Sequence, residues 1–316
     1  MDDLRLYASD RSAGKKLLFM GQELEVTETT EDSFNGVDIA LFSAGADISQ
    51  RFSPIAAKAG TVVIDNSSAF RMDPQVPLVV PEVNARDIRS HVGIIANPNC
   101  STIQMVVALD PLHQVSPIKR ILVSTYQAVS GTGAAAMEEL HQQTAQMMEG
   151  KEERITPKTY PHQIAFNALP FVEGFLDNGY TTEEWKMVQE TRKIMHDSEM
   201  PISATCVRVP VYIGHGEAVN VEFGQPMSPQ EAREILSRAP GVKVLDSPKD
   251  DLYPLPISSA GTDDVFVGRI RQDFSHPNGL VMWVVADNLR KGAALNAVQI
   301  AEVVVNEDIL SKPSRR

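Results

Sequence analysis

Between residues 37 and 113 the sequence alternates short apolar strands with helices, and no other feature constrains the fold as strongly. The stretch VDIALFSAGADISQRFSPIAAKAGTVVIDNSS contains an apolar strand, a turn of small residues, a helical stretch and a second apolar strand. A further strand, GIIANPN, leads directly into CSTIQMVVALDPLHQV, where apolar residues recur at helical spacing. Strands that alternate with helices pair in parallel, so the sequence predicts an α/β domain in which Cys100 lies where a strand becomes a helix.

After this region the pattern changes. Longer strands, KRILVSTYQAVS and SATCVRVPVYIG, are separated by polar helical segments around AAAMEELHQQTAQMMEG and TTEEWKMVQETRKIMHD. This pattern predicts a second, α+β domain with a mixed or antiparallel sheet. The carboxyl end, LRKGAALNAVQIAEVVVNEDIL, has apolar residues at helical spacing, and we expect it to return to the first domain. The predicted division is residues 1–101, 102–287 and 288–316.

Composition narrows the class of protein. A chain of 316 residues, 43% of them hydrophobic, can bury a large core and usually divides into two domains. Its 29 basic and 41 acidic side chains give a net charge of -12, which argues against a nucleic acid or an anionic membrane as the main partner. No apolar run approaches the roughly 20 residues that span a bilayer, and the start shows no signal peptide, so we expect a cytoplasmic protein.

The two cysteines, Cys100 and Cys206, are too few to cross-link a chain of this length, and a reducing compartment keeps both as thiols. Placement at a helix N-terminus is expected to lower the pKa of the Cys100 thiol, as a nucleophile requires. The alternative is that Cys100 is a small buried hydrophobic residue. The string NPNCST also brings amide donors to the turn before the helix, where they could hold a phosphate or an oxyanion.

The string ANPNCSTIQ resembles the active-site segment of aspartate-semialdehyde dehydrogenases. Further strings match the same family in order: RSAGK, SAGADIS, IDNSSAFRMDPQVPLVVPEVN, TYQAVSGTG, GYTTEEWKM, RVPVYIGH and DNLRKGAALNAVQIAE. The resemblance implies a homodimeric oxidoreductase of lysine, threonine, methionine and isoleucine biosynthesis. It would interconvert L-aspartate 4-semialdehyde and β-aspartyl phosphate with NADP(H) and inorganic phosphate, through a thioacyl intermediate on Cys100. A Rossmann-like cofactor domain and a catalytic and dimerisation domain are implied as well.

By themselves the other candidate residues are a lone histidine, a strand-end glutamine and charged pairs, which are usually structural or solvated. The resemblance assigns their roles. It implies that His215 is the general base and acid, that Gln127 orients the acyl group, and that the substrate is bound by a set of polar residues: Arg208 on the α-carboxylate, Glu183 on the amino group, and Lys186, Arg71 and Asn99 on phosphate. The implied cofactor residues are Ser9, Arg11 and Ser12 at the 2′-phosphate of NADP, with Ser130, Gly131 and Asn288. Cys206 receives no role, and the remaining histidines have no spacing suited to zinc, so no metal is predicted.

The beginning of the sequence departs from the family pattern, which opens with an apolar strand and a G-x-x-G-x-x-G turn. The expectation is therefore a Rossmann-like domain lacking its first strand and binding NADPH weakly, either because the start codon is assigned too late at Met1 or because the chain is a truncated paralogue. Such a paralogue would be a non-catalytic dimerising or regulatory module. A second alternative is an N-acetyl-glutamyl-phosphate reductase, although that family lacks the NPNCST string; glyceraldehyde-3-phosphate dehydrogenase shares the thioester chemistry but not the flanking strings.

Overall fold

A computed structural model describes residues 3–310, except for the side chain of Glu152. The described residues do not include Met1, Asp2 or residues 311–316. These positions belong to the first and last of the predicted segments, 1–101 and 288–316. The strands are β1 (Leu6–Ala8), β2 (Lys16–Phe19), β3 (Gln22–Glu28), β4 (Ile39–Phe42), β5 (Val62–Asp65), β6 (Ile94–Ala96), β7 (Ile118–Gln127), β8 (Ile202–Arg208), β9 (His215–Phe223), β10 (Val242–Val244), β11 (Val265–Gln272) and β12 (Gly279–Ala286). The α-helices are α1 (Ala46–Ala59), α2 (Pro81–Asn84), α3 (Cys100–His113), α4 (Ala134–Met148), α5 (Thr182–Ile194), α6 (Pro229–Leu236), α7 (Pro256–Ser259) and α8 (Leu295–Asn306).

The α/β pattern folds into a parallel sheet with the order β4, β5, β6, as the alternation predicts. Strand β5, with the sequence VVID, is buried along its whole length because it is paired on both edges and covered on both faces. On one face α8 returns from the carboxyl end and packs its apolar side against the sheet, as expected. The residues of this contact include Val62, Ile64, Ile95, Ala297, Ile300 and Val304.

Ahead of that sheet lies a second three-stranded sheet with the order β1, β3, β2. Strand β1 pairs in parallel with β3, and β2 pairs with β3 in antiparallel orientation. Among residues 3–310 no strand joins β1 to β4, so the two small sheets are separate. The α/β class predicted for this domain is confirmed, and its strands form two separate three-stranded sheets.

The second domain is built on a six-stranded sheet with the order β10, β11, β12, β9, β7, β8. Strand β9 is antiparallel to both of its neighbours, whereas β7 and β8 are parallel, so the sheet is mixed as predicted. The inner face packs on helices, and the opposite face is only half-buried. On that opposite face Tyr126 and Trp283 contact each other with ring centroids 5.4 Å apart.

Helix α3 connects the two domains and carries Cys100 as its first residue. Its residues from Ser101 to Leu109 are all buried, because the helix lies between the two domains rather than at the surface of one. This position places its N-terminus at the junction between the parallel sheet and the six-stranded sheet. Across residues 3–310, no helix combines the length and the apolar composition that crossing a bilayer would require.

Candidate active site

Cys100 lies at the junction that the sequence predicts, between the turn after β6 and the first turn of α3. The residue is partly buried, and its sulfur lies 3.6 Å from Oδ1 of Asn99. A π-helical turn, Arg290–Ala294, passes on the other side, and a Cβ added to Gly292 would lie 2.8 Å from the Cys100 Cβ. Gly292 is therefore a site residue that the sequence analysis missed. Its signal is a glycine just before an apolar helix, which alone indicates only close packing.

The electrostatic environment of Cys100 differs from the expectation. Burial raises the pKa of the thiol to about 12, and the Glu183 carboxylate raises it further, while Arg208 and Arg71 oppose this rise. The prediction that the helix N-terminus lowers this pKa is therefore wrong for this structure. Removal from water and a nearby anion outweigh the two guanidinium groups and the backbone hydrogen bond at Ser101.

The backbone of a single residue, Ala128, organises the two residues assigned to acid/base work and carboxylate binding. Its N–H donates to Nδ1 of His215 at 3.0 Å, and its carbonyl accepts from Nη1 of Arg208 at 2.7 Å. Among the described residues, Nε2 of His215 and Nε of Arg208 have no hydrogen-bond partner. Both side chains are thus held at one end, and each has a nitrogen free to meet a ligand.

His215 is fully buried at the start of β9. Burial lowers the pKa of its imidazole well below the usual value, and the nearby Arg208 lowers it further, so the ring is neutral at physiological pH. Because Nδ1 accepts a hydrogen bond from Ala128, the neutral ring carries its proton on Nε2. The free nitrogen of His215 is therefore a donor in this arrangement.

Gly131 packs directly over these two residues. A Cβ at this position would lie 3.1 Å from Nη1 of Arg208 and 3.3 Å from Nε2 of His215. The turn that contains Gly131, Val129–Thr132, follows β7 and is held by a hydrogen bond from Tyr160 to Thr132 at 3.0 Å. A glycine here permits close backbone approach to the site.

Three predicted residues converge beside Cys100 through one carboxylate. Oε1 of Glu183 accepts from Nδ2 of Asn99 at 2.9 Å and from Nε2 of Gln127 at 3.0 Å. Gln127 also donates to the Ser101 hydroxyl at 2.9 Å, which fixes the amide against the first turn of α3. The structure thus brings together residues that are 84 and 56 positions apart in the chain.

Arg71 reaches the site through a carboxylate that the sequence analysis did not select. Glu190, almost fully buried, accepts from Nη1 of Arg71 at 3.0 Å and from the Asn99 backbone N–H at 2.6 Å. It lies seven residues after Glu183, two turns along the same face of α5, and that spacing is the signal that could have identified it. Lys186 lies nearer the rim, where it pairs with Glu173 at 2.5 Å.

The predicted cofactor residues fall into two groups that the structure leaves apart. Ser130 exchanges hydrogen bonds with Asn288 at 2.9 Å and 3.2 Å, and Oδ1 of Asn288 also accepts from the Gly214 N–H. This group borders the site through Gly131, which packs over Arg208 and His215. Ser9, Arg11 and Ser12 instead lie at a 3₁₀ turn after β1, where the Ser12 N–H donates to the Ser9 carbonyl.

Family models match most of the chain. Residues 1–91 match the NAD binding domain of semialdehyde dehydrogenases, and residues 109–291 match the semialdehyde dehydrogenase dimerisation domain. A curated aspartate-semialdehyde dehydrogenase from Aquifex aeolicus is 59% identical over 98% of this chain and 92% of its own length. The enzyme of the same name from Bacillus subtilis is 53% identical over 96% of this chain and 89% of its own length.

Solved structures give the same result. Aspartate semialdehyde dehydrogenase II from Vibrio cholerae superposes with a TM-score of 0.94 at 49% identity, covering 97% of this chain and 91% of that one. An aspartate semialdehyde dehydrogenase from Candida albicans, solved with NADP, has a TM-score of 0.73 at 26% identity, covering 96% of this chain and 91% of that one. The level of identity over nearly the whole chain, on the same fold, shows that this protein belongs to the aspartate-semialdehyde dehydrogenase family.

Proposed function

We propose that this protein interconverts L-aspartate 4-semialdehyde and β-aspartyl phosphate through a thioester on Cys100. The observation that carries the proposal is the Ala128 backbone, whose N–H and carbonyl hold a neutral histidine and an arginine beside a cysteine at a helix N-terminus. Each of the two side chains keeps a nitrogen that has no partner among the described residues. A thiol nucleophile, a proton donor and a carboxylate clamp are the groups that this reaction needs. The family relationship favours this substrate over the longer acid of the reductase alternative, and over a non-catalytic module.

In the proposed reaction, Arg208 binds the substrate α-carboxylate and Glu183 the amino group, so that C4 of the aldehyde faces Cys100. Sulfur attacks C4, and the N–H at Nε2 of His215 donates to the oxygen that becomes negatively charged. Bound NADP would supply the acceptor for the hydride that leaves C4, and loss of that hydride leaves a thioester between C4 and Cys100. Gln127 orients the resulting acyl group, and phosphate, bound by Arg71, Lys186 and Asn99, then displaces the Cys100 thiolate to give the acyl phosphate.

The base role of His215 needs the other tautomer. To take the thiol proton of Cys100 at Nε2, the ring must carry its own proton on Nδ1, and the hydrogen bond from Ala128 is then lost. A thiol pKa of about 12 makes such a base useful, because little thiolate forms without one. Substrate binding to Arg208 also adds an anion beside His215, which favours its protonated form.

The nicotinamide cofactor is proposed to be NADP, with Ser9, Arg11 and Ser12 at its 2′-phosphate and Ser130, Gly131 and Asn288 at the nicotinamide end. The match to a NAD binding domain supports a dinucleotide, and a family member has been solved with NADP. A homodimer is proposed through the half-buried face of the six-stranded sheet, where Tyr126 and Trp283 lie. The domain limits at residues 101 and 287 and the cytoplasmic location stay predictions.

The test is a coupled spectrophotometric assay of NADPH formation with L-aspartate 4-semialdehyde and inorganic phosphate. We expect turnover that requires phosphate and is faster with NADP than with NAD. N-acetylglutamate 5-semialdehyde serves as the matched substrate of the reductase alternative. Turnover of that aldehyde alone would favour the reductase, and turnover of neither would favour the non-catalytic module.

A further inference from the structure

A further buried carboxyl group lies near the candidate active site and has no role in the mechanism above. Glu217 follows His215 by two residues on β9, so the two side chains point to the same face of the sheet. Its side chain is fully buried. Neither carboxyl oxygen has a hydrogen-bond partner among residues 3–310, and no cation pairs with it there.

Two polar neighbours of this carboxyl group are incompletely paired among the described residues: Thr125, opposite it on β7, and Gln104 on α3. Nε2 of Gln104 donates to the backbone carbonyl of His215 at 3.3 Å, while its Oε1 has no partner among the described residues. A carbonyl oxygen only accepts, so the His215 carbonyl fixes which end of the Gln104 amide faces it. The oxygen end is then left as an acceptor in need of a donor.

A carboxylate offers no donor, but a protonated carboxylic acid offers one. Burying an ionised carboxylate without a cation or a set of donors is costly, whereas a neutral acid paired with an amide is a satisfied arrangement. Protonation of Glu217 therefore supplies the missing partners of both side chains at once. We propose that Glu217 holds a proton at neutral pH and donates it to Oε1 of Gln104, so that the Gln104 amide stays fixed on the His215 carbonyl.

The surroundings support the neutral acid. The residues next to Glu217 across the sheet are Thr125 on β7 and Val284 on β12, and Cys206 lies beyond Thr125 on β8. From α5 the charge that bears on it is the Glu183 carboxylate, which has the same sign as an ionised Glu217. Burial raises the pKa of Glu217 well above its usual value, and Glu183 raises it further, against the smaller effect of Gln104.

Glu217 is thus a positioning residue: it acts on His215 through Gln104 and touches no reacting atom. This role rests on the proposed function, because it matters only if His215 exchanges a proton with the substrate. The protonation state itself does not depend on that function. The two statements can therefore be tested separately.

Infrared difference spectroscopy of the full chain tests the proton. At about pH 7 to 8, well above the pKa of an ordinary glutamic acid, the spectrum of the native protein minus that of Glu217→Gln should show the C=O stretch of a protonated carboxylic acid, shifted in D₂O. A difference spectrum with the bands of an ionised carboxylate instead would overturn the proposal. Turnover plays no part in this measurement, so it is informative even if the protein proves inactive on aspartate semialdehyde.

Kinetics test the positioning. Glu217→Gln keeps a donor for Gln104 and should retain most of kcat, whereas Glu217→Met, close in size but without a donor, should lose about tenfold in kcat with little change in KM, the rate equivalent of one net hydrogen bond. Gln104→Met should lose as much, and the double Met variant no more than either single one. Additive losses, or full activity in both Met variants with unchanged melting temperatures, would show that the pair does not position His215.

Discussion

The two domains contain strands of similar apolar sequence, but they pair them differently. In the six-stranded sheet, β7, β9 and β12 are bonded on both edges, and alternate residues are buried along their length. In the small sheet β1, β3, β2, every residue of β2 is exposed although its sequence is KLLF. Apolar composition alone does not bury a strand, because burial also needs neighbours on its edges and a layer on its face. Site residues on the strands of the six-stranded sheet are therefore held more firmly than the predicted cofactor residues at the 3₁₀ turn after β1.

The sharpest test of this comparison uses the two cysteines, one at the domain junction and one inside the larger sheet. Cys100→Ser should lower kcat by about a thousandfold or more, because a hydroxyl in the same place is a poor nucleophile and a poor leaving group. Cys206→Ser should retain most activity, since this side chain only packs, with its sulfur 3.7 Å from that of Met187. Steady-state assays of both variants show which cysteine is the nucleophile. A larger loss of kcat in Cys206→Ser than in Cys100→Ser would show that Cys100 is not the nucleophile.

Amide hydrogen exchange measures directly how firmly the strands of the six-stranded sheet and of the small sheet β1, β3, β2 are held. Amides of β7 and β9 should exchange about a hundredfold or more slowly than those of β2, because opening a doubly paired, buried strand needs a larger structural change than opening an exposed edge strand. Exchange monitored by mass spectrometry on peptides from the two regions gives the comparison. Equal protection of the two regions would show that the small sheet is supported as well as the large one.

Arg208 tests whether the larger sheet supplies geometry or only charge. Arg208→Lys keeps the positive charge but loses the planar fork that bonds the Ala128 carbonyl and leaves other N–H groups for a carboxylate, so KM for the aldehyde should rise about tenfold to a hundredfold. The matched control is Arg120→Lys, an exposed pair with Glu222 at 3.1 Å, which should leave KM unchanged. An unchanged KM in Arg208→Lys would mean that charge alone suffices.

The smallest expected effect of a substitution concerns the protonation of Cys100. With a thiol pKa raised to about 12, the thiolate fraction and the rate of iodoacetamide alkylation should rise about tenfold per pH unit from neutrality to about pH 10 without levelling off. Glu183→Gln removes an anion that raises this pKa, so it should speed alkylation a few-fold at fixed pH. The measurements use Cys206→Ser protein, which leaves Cys100 as the remaining thiol. A plateau near pH 8 would restore the lowered pKa expected from the helix N-terminus.

Much of the fold follows from local pattern. The parallel pairing of the strands before α3, the start of α3 at Cys100 and the return of α8 were all predicted, because periodicity and turn residues act over a few positions and decide which face of an element is apolar. The candidate residues came from strings shared with a family. The separate sheet of β1, β3 and β2 was not predicted, although its strands are close in the sequence. Strand β2 is exposed along its length and lacks the alternation of apolar and polar residues that identifies a half-buried strand.

The sequence by itself determined the alternation of strands and helices between residues 37 and 113, the position of Cys100 at a strand-to-helix junction and the family of the protein. Only the tertiary structure decided how the site is connected. It placed Glu190 between Arg71 and the Asn99 backbone, set Gly292 against Cys100 and let Ala128 hold two side chains. It also reversed the expected direction of the Cys100 pKa. These contacts join residues that are far apart in the chain, and desolvation depends on what packs around a group, so neither can be calculated from the neighbouring residues in the sequence.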